Sequence, residues 1–521
     1  MKRIIPLLLC IGMLLSLFSG CAQDEEAYIP TGDGLTWEEE DTEADKQDTE
    51  KGEIQELGLT YNANATFNPY TCTDYTNRAL FSLIYQSLFV TDRNYESHPI
   101  LCSRYVMSRD MKIYTFYIDE NATFSDGTKL TIQDVEASLK AAEDSRIYGG
   151  RFSKILRMYI SEDGGITMEL STAYENLPIL LDIPIIKATQ LDFQTPLGTG
   201  PYQLARTDTG MQLNRRTNWW CTSDLVITAP YIRLTEFESA IQIRDEFQFG
   251  DLDLVVADPG SDRYADFRCD FELWDSENGI FLFLAVNHES DVFASDLVRK
   301  ALTHSIDREQ IVDDYYRGFA RAASLPVSPQ SPYYNSGLAG KYDYQPGVFE
   351  NAVTEASRVN WEMILVCNGD DSLRMRVADL IAENLRSAGL IVDLRYLTGR
   401  DYTNALQNGE FDLYLGQTKL SPNMDLSPFF STVGALNYGG MSSLEMHTLC
   451  QQALENSGNY YTLHLNVMED AYLCPILFRS YSVFATRGLL TELTPSRDQI
   501  FYYTIGKSME DVRFVQAVTI A

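Results

Sequence analysis

The chain has 521 residues, of which 45% are apolar and 12% aromatic, enough to build large buried cores. It carries 41 Lys and Arg against 74 Asp and Glu, a formal net charge of −33, and a surface this acidic repels the phosphate backbones of nucleic acids. The nine cysteines include no Cys-x-x-Cys pair and the five histidines are scattered, so we expect no structural metal and no cofactor.

The first twenty residues have the organisation of a bacterial secretory signal. Two basic residues precede the apolar stretch 4–18, which is short for a transmembrane helix. Ser19 and Gly20 then lead into Cys21, a pattern that resembles a lipobox, in which the cysteine becomes the lipid-carrying first residue of the mature chain. The resemblance implies a signal peptide over 1–20 and an extracytoplasmic protein held on the cell membrane by the Cys21 lipid. An ordinary secretory signal with an incidental cysteine is the alternative.

Residues 21–52 are predicted to be a tether. Within 22–51, twelve acidic residues accompany two lysines, and apolar side chains are few. Such a segment cannot bury a core and repels itself, so we expect a disordered linker that holds the body away from the membrane.

The body from residue 53 alternates predicted strands and helices. Thr131 and Asp134 have the spacing of a capping box at a helix start, and Gly389 suits the left-handed residue that follows a helix. This alternation predicts an α/β fold with a parallel or mixed sheet. The patterns predict strands at 53–61, 114–118, 361–367, 390–396 and 411–415, and helices at 75–90, 131–142, 374–388 and 401–408.

A short internal echo indicates two lobes. Residues 249–254 (FGDLDL) and 408–413 (NGEFDL) share the order Gly, acid, apolar, Asp, Leu. In both, the glycine can end a helix and the aspartate can begin a buried strand. We expect each motif to open a strand in the sheet of its own lobe, with a small-molecule cleft between the lobes.

Several segments, taken in order, resemble the peptide/nickel-binding family of extracytoplasmic solute-binding proteins of ABC importers. They are 114–118, 123–135, 197–202, 284–287, 296–302 and 305–311. Most are architectural; Gly198 and Gly200, for example, predict a tight chain crossing. The resemblance implies a two-lobed, type II periplasmic-binding-protein-like clamp with an extra subdomain on the first lobe. It implies a monomer that captures a peptide or peptide-like solute and delivers it to an ABC permease.

The resemblance also implies lobes that are discontinuous in sequence. Lobe I should combine 53–65, 195–277 and 486–521, with 66–194 as its appended subdomain. Lobe II should comprise 278–485.

The family places its solute against loops that follow the strands. In one of these loops, peptide-binding members usually carry an aspartate that pairs with the ammonium group of the peptide. Pro422 occupies the place of that aspartate in this chain, and Asp425 aligns with a different, structural aspartate of the family. Lys419 nearby favours a carboxylate or other anionic group. The resulting candidate contacts are Tyr70, Tyr75, Gln417, Lys419, Asp425, Asn437 and Tyr438.

Enzymatic function is not expected, because the chain has neither a G-x-S-x-G nor an H-E-x-x-H motif. A lipoprotein receptor for a peptide signal, without transport, remains an alternative, and an extracellular hydrolase is a weaker one. The solute could be a peptide, a nickel chelate or another small molecule.

Changing Cys21→Ala removes the sulfur that would carry the lipid. We expect the variant either to leave the membrane fraction or to accumulate as an uncleaved precursor, measured by cell fractionation and intact mass. Cys10→Ala, in the apolar stretch of the same signal, is the matched control and should behave like the parent. Normal processing and membrane retention of Cys21→Ala would contradict the lipobox interpretation.

Overall fold

The computed structural model describes residues 56–208, 210–221, 227–258, 264–490 and 493–500. These residues fall within one structural unit, Glu53–Ala521. The signal peptide, Cys21 and the acidic tether lie outside the described residues. None of the helices in the described part of the chain combines the length and apolar character needed to cross a bilayer.

The described strands, in chain order, are β1 (Glu56–Thr60), β2 (Gln86–Ser87), β3 (Phe89–Thr91), β4 (Ser97–Pro99), β5 (Cys102–Met107), β6 (Ile113–Ile118), β7 (Ile155–Ile160), β8 (Ile166–Leu170), β9 (Pro184–Ile185), β10 (Tyr202–Thr207), β11 (Gly210–Arg215), β12 (Tyr231–Thr235), β13 (Leu254–Ala257), β14 (Phe271–Val286), β15 (Ala320–Ala322), β16 (Glu362–Asn368), β17 (Ile391–Leu397), β18 (Leu413–Lys419) and β19 (Leu473–Thr486).

The described α-helices are α1 (Tyr75–Ala79), α2 (Phe81–Ile84), α3 (Ile132–Glu143), α4 (Ala240–Phe249), α5 (Asp296–Ala301), α6 (Arg308–Tyr316), α7 (Ser336–Ala339), α8 (Pro346–Glu355), α9 (Ser372–Ser387), α10 (Gly399–Gln407), α11 (Ser427–Phe430), α12 (Leu444–Glu455) and α13 (Tyr460–Glu469). Short 3-10 turns connect several of them, including Gly149–Phe152.

A mixed seven-stranded sheet organises the fold. Its order is β13-β19-β14-β18-β16-β17, with β15 also paired to β19. Strand β16 runs parallel to β17 and β18, whereas β14 runs antiparallel to β18 and β19. This agrees with the α/β sheet expected from the sequence.

Helices cover both faces of this sheet. Along 281–286, the odd-numbered residues pack into one hydrophobic core and the even-numbered residues into another, as the two-residue period of a strand requires. Helix α9 contributes Val377 and Ile381 to the even-numbered side, and α12 contributes Met446 to the odd-numbered side.

Two further sheets are built from the earlier part of the chain. One has the order β1-β12-β11-β10, and the other the order β5-β6-β8-β7. The 197–202 motif crosses close to α2, because the Gly200 amide donates to the Ile84 carbonyl at 2.9 Å. A Cβ at Gly198 would lie 2.2 Å from the same carbonyl oxygen, so the predicted tight crossing is confirmed.

Two predicted helix ends are also confirmed. Thr131 and Asp134 form a reciprocal capping box at the start of α3. Gly389 follows α9 with φ of +100°.

The predicted helix 75–90 is wrong in its second half. Helix α1 ends at Ala79 and α2 ends at Ile84. Tyr85 is extended, with its hydroxyl donating to the Phe67 carbonyl at 2.8 Å. Strands β2 and β3 follow. All of 79–90 is buried, and a continuous buried apolar run does not distinguish a helix from a strand by period.

The expectation that the two Gly-acid motifs, residues 249–254 and 408–413, open strands in separate sheets is also wrong. Their strands, β13 and β18, belong to the same seven-stranded sheet. The reason is the length of β14 and β19, which pair along 271–277 with 480–486 and again along 281–285 with 473–478. Strand β13 joins the first of these pairings and β18 the second, so the motifs lie at opposite ends of one continuous sheet.

The register of the ladder between β14 and β19 shifts between Leu282 and Phe283 and, over a longer gap, between Glu277 and Phe281. In that longer gap Gly279 has φ of +74°. Such a bulge bends a strand locally. It lies at the residue where the sequence placed the boundary between lobes I and II.

A buried carboxyl group stands at this bulge. Glu277 is 1% exposed and accepts hydrogen bonds from the hydroxyls of Ser328 and Tyr95, while Arg321 lies 3.7 Å away. Burial raises the pKa of Glu277 to about 7, and its contacts with Ser328 and Arg321 only partly oppose that effect.

Glu277→Gln should change how stability depends on pH. An unfolded glutamate loses its proton near pH 4.3, whereas native Glu277 holds it to about pH 7, so its stabilising contribution is lost as pH rises between those values. We expect the variant to match the parent near pH 4 and to be more stable than the parent by about 3–4 kcal/mol of unfolding free energy at pH 8. Urea unfolding at both pH values tests this, with exposed Glu162→Gln as the control; an equal difference at both would contradict it.

Candidate functional site

A cavity of about 340 Å³ lies where four segments of the chain meet. Its wall comes from the loop and helix 72–78, the turn 147–151, the stretch 418–436 and the pair 497–498. The charged residues in the wall are Arg78, Arg151, Lys419, Asp425, Arg497 and Asp498.

The first segment is held rigidly by local hydrogen bonds. Asp74 caps α1 by accepting from the backbone amide of Asn77 at 3.0 Å, and Nδ2 of the Asn68 side chain donates to the carbonyls of Leu191 and Phe193. Arg78, one turn into α1, donates to the Cys72 carbonyl at 3.3 Å. The helix therefore fixes where this guanidinium meets the cavity.

The second segment supplies a buried arginine. Arg151 lies in the 3-10 turn after Tyr148, with its guanidinium 5.1 Å from that ring. It pairs with buried Asp182 and also reaches Asp498 at 3.3 Å. Its charge is thus shared between two carboxylates.

Asp498 is the common partner of three cations. Its carboxylate, 8% exposed, pairs with the ammonium of Lys419, with Arg151 and with Nε of Arg497 at 3.1 Å. Burial alone would raise the pKa of Asp498, but Lys419, Arg497 and Arg151 together hold it far below its ordinary value. The carboxylate therefore stays ionised and holds the three cations close to one another.

Lys419 is the last residue of β18, whose pairing with β14 and β16 fixes its position. Its side chain is 41% exposed and lines the cavity. Desolvation lowers the pKa of Lys419 to about 8, against the opposing attraction of Asp498. The ammonium is therefore protonated at neutral pH but close to its titration point.

Arg497 is the most buried of the cations, at 3% exposure. Among the described residues its Nη1 group finds no hydrogen-bond acceptor. The chain makes room for this guanidinium at the bulge, because a Cβ at Gly279 would lie 2.7 Å from Arg497 Nε. A buried guanidinium N–H without an acceptor at a cavity wall is a site for an incoming anion.

The wall carries four cationic and two acidic side chains. Both acids are already engaged: Asp498 as described, and Asp425 by accepting from the Ser427 amide at 2.8 Å and from its hydroxyl. The whole chain has a net charge of −33, so the excess of positive charge in the cavity wall is a local feature. The arrangement suits binding of an anionic group, and none of the wall residues forms a nucleophile–base pair.

Of the seven ligand contacts predicted from the sequence, the structure places Lys419 and Asp425 in the wall. Tyr70 lies behind it, with its hydroxyl donating to the Pro184 carbonyl at 2.7 Å and its ring 6.3 Å from the ring of Tyr148. Tyr75 packs 5.9 Å from the ring of Tyr481, away from the wall.

The other three predicted contacts also lie off the wall. Gln417 accepts from Arg479 at 3.4 Å, Asn437 donates to the Ser431 carbonyl at 3.1 Å, and the Tyr438 ring packs 6.0 Å from that of Tyr414. Their immediate neighbours Thr418 and Leu436 line the cavity instead.

Sequence reasoning missed Arg78, Arg151, Arg497 and Asp498. The predicted contacts were taken from loops that follow strands, whereas these four residues come from a helix, a 3-10 turn and the C-terminal segment. The adjacent Arg497-Asp498 pair, both buried, was the available signal, but a pair of opposite charges near a terminus is usually solvated.

One group of potential metal ligands occurs among the described residues, on the hairpin of β3 and β4. Ligand atoms of Asp92, Glu96 and His98 lie within 4.8 Å of one another. Asp92 already pairs with His98 at 3.1 Å and accepts from two backbone amides of the turn, so local contacts account for it.

Comparison with protein-family models finds a match over more than half of the chain. Residues 96–439 match the model described as "Bacterial extracellular solute-binding proteins, family 5 Middle".

Two curated proteins and one solved structure illustrate the similarity. The nickel-binding protein NikA of Staphylococcus aureus (strain NCTC 8325 / PS 47) is 23% identical over 387 residues, 70% of this chain and 76% of NikA. The glutathione-binding protein GsiB of Shigella boydii serotype 4 is 24% identical over 354 residues, 62% of this chain and 66% of GsiB. The crystal structure of NikA from Brucella suis in complex with Fe(III)-EDTA superposes with a TM-score of 0.68 at 18% identity, covering 85% of this chain and 98% of that one.

Proposed function

The chain belongs to family 5 of the bacterial extracellular solute-binding proteins, which serve ABC importers, and from this premise we propose that it captures a carboxylate-bearing peptide or peptide-like solute in the cavity around Lys419. The relatives are solute-binding proteins rather than enzymes, so the solute leaves unchanged and passes to an ABC permease. The single observation that carries the choice of solute is the excess of cations in the cavity wall.

Charge explains why an anionic group is favoured. Lys419 and Arg497 already lie beside Asp498 in the folded protein. The repulsion between these two cations is therefore overcome during folding, and solute binding does not have to overcome it again. A carboxylate entering the cavity can accept from the open side of Lys419, and the buried guanidinium of Arg497 adds positive charge behind it. Charged hydrogen bonds of this kind contribute about 1.5–3 kcal/mol each.

A solute ammonium is not expected in this cavity. Pro422 stands where peptide-binding members have their anchoring aspartate, and the carboxylates of Asp425 and Asp498 are engaged. An unpaired ammonium in a closed cleft costs several kcal/mol. Solutes with a blocked amino end should therefore bind as well as free ones.

Two of the relatives support this class of solute, whereas NikA of Staphylococcus aureus is named for nickel. Glutathione, named for GsiB, is a small peptide with two carboxylates, and EDTA, present in the Brucella suis structure, is a polycarboxylate. Both are compatible with a cationic cavity.

Binding would act through a clamp. Lobe I would comprise 53–65, 195–277 and 486–521 with the subdomain 66–194, and lobe II would comprise 278–485. The bulge after Glu277 supports the boundary at 277/278, because it interrupts the β14–β19 ladder there, whereas the boundary at 485/486 lies within the pairing of β19 with β13 and β14. Solute contacts to both lobes would favour the closed form by their difference in affinity.

Location completes the proposal. We place the mature protein on the outer face of the cell membrane, anchored by lipid at Cys21 and held at a distance by the acidic tether 21–52. It would act there as a monomer and dock on the permease when closed.

Removing charge from either partner should weaken binding. The tightest-binding member of a tri- to pentapeptide mixture would be identified by mass spectrometry and titrated calorimetrically as the free acid, the C-terminal amide and the N-acetyl form. Amidation or Lys419→Gln should each weaken binding at least about tenfold, equivalent to about 1.4 kcal/mol. N-acetylation should change it less than about threefold, equivalent to less than about 0.7 kcal/mol. Exposed Lys140→Gln is the control and should bind like the parent.

Two outcomes would contradict the proposal. Equal binding of the peptide acid and its amide would show that the solute carboxylate makes no favourable contact in the site. Binding of only the free-amine form, abolished by Asp425→Asn, would show that Asp425 anchors the ammonium.

A further inference from the structure

A second cavity, of about 640 Å³, lies apart from the first and shares none of its lining residues. Its wall comes from the 89–105 region, the 174–178 segment, the turn 332–333 and the stretch 453–460. The Tyr460 hydroxyl, from this cavity, donates to the Asn423 carbonyl at 2.5 Å, and the adjoining Asp425 lines the first cavity. The 421–425 loop therefore separates the two.

Aromatic rings dominate this second wall. Tyr333 and Tyr460 stack face to face with their centroids 4.0 Å apart. Aromatic faces carry partial negative charge and attract organic cations as well as apolar groups. The aromatic side chains in the wall are Phe89, Tyr95, Tyr105, Tyr174, Tyr333 and Tyr460.

The charged residues of the second cavity are both acidic, whereas those of the first are mainly cationic. Glu96 and Glu175 line it, and among the described lining residues none is Lys, Arg or His. Glu175 accepts from the Ser457 amide at 2.9 Å, whereas Glu96 is exposed at the rim. A cation entering this cavity would meet two carboxylates and no repelling charge.

We propose that this second cavity is a binding site for an organic ammonium, a protonated amine with a small aromatic or aliphatic body. The rings would hold the body and stabilise the charge, while Glu96 and Glu175 would supply the counter-charge. The site stands independently of the carboxylate-binding cavity, because the two have separate walls of opposite charge.

Calorimetric titration with phenethylammonium and with its uncharged analogue 2-phenylethanol tests the proposal. The amine should bind with a Kd of about 1 mM or tighter, as a ligand of this size allows, and the alcohol at least about tenfold more weakly. Glu96→Gln should weaken amine binding about three- to tenfold, in line with about 0.7–1.4 kcal/mol for a partly exposed charge. Tyr333→Leu should weaken it by a similar factor.

Two controls separate this site from the first. Glu162→Gln, an exposed acid elsewhere, should leave amine binding unchanged. Lys419→Gln should also leave it unchanged while weakening peptide binding. Equal binding of amine and alcohol, amine binding unaffected by both Glu96→Gln and Tyr333→Leu, or no amine binding at about 10 mM would each overturn the proposal.

Discussion

The buried carboxylate of Asp498 is the interaction on which the proposed site depends. It draws together Arg151, Lys419 and Arg497, which reach it from a 3-10 turn, the end of a central strand and the C-terminal segment. Buried charges are tolerated only when paired, so losing Asp498 would leave the buried guanidinium of Arg497 uncompensated. Arg151 is also paired with Asp182, so the exposed ammonium of Lys419 is the group of this cluster that is open to a solute. The same contacts that hold the segments together thus create a site for a negative charge.

The sheet places these groups and also allows movement. Strands β14 and β19 are long enough to serve both ends of the seven-stranded sheet, which is why the two Gly-acid motifs share it. At Gly279 the ladder is interrupted, and the space left by the missing side chain is occupied by Arg497. The bulge therefore connects the proposed lobe boundary with the cavity wall. Bending of the sheet at the bulge would move Arg497, whose Nη1 lacks an acceptor.

The sequence predicted local features better than distant ones. The capping box of Thr131 and Asp134 and the left-handed Gly389 follow from neighbouring residues, and both are present. The helix expected at 75–90 was only half correct, because buried strands and buried helices share an apolar composition there. The cationic cluster was out of reach: Arg151 and Asp498 are 347 positions apart, and no periodicity relates such residues. Lys419 could be predicted as a ligand contact only because the family resemblance indicated its loop.

The central claim is that the Lys419 ammonium holds a solute carboxylate, and pH tests it most directly. The affinity of an N-acetylated peptide acid would be measured from about pH 7 to pH 9.5, where the peptide itself does not titrate. Since the pKa of Lys419 is about 8, the account predicts constant affinity below that value and progressive weakening above it, with proton uptake on binding. In Lys419→Arg, whose charge persists throughout, the profile should be flat. A flat profile in the parent protein would contradict the account.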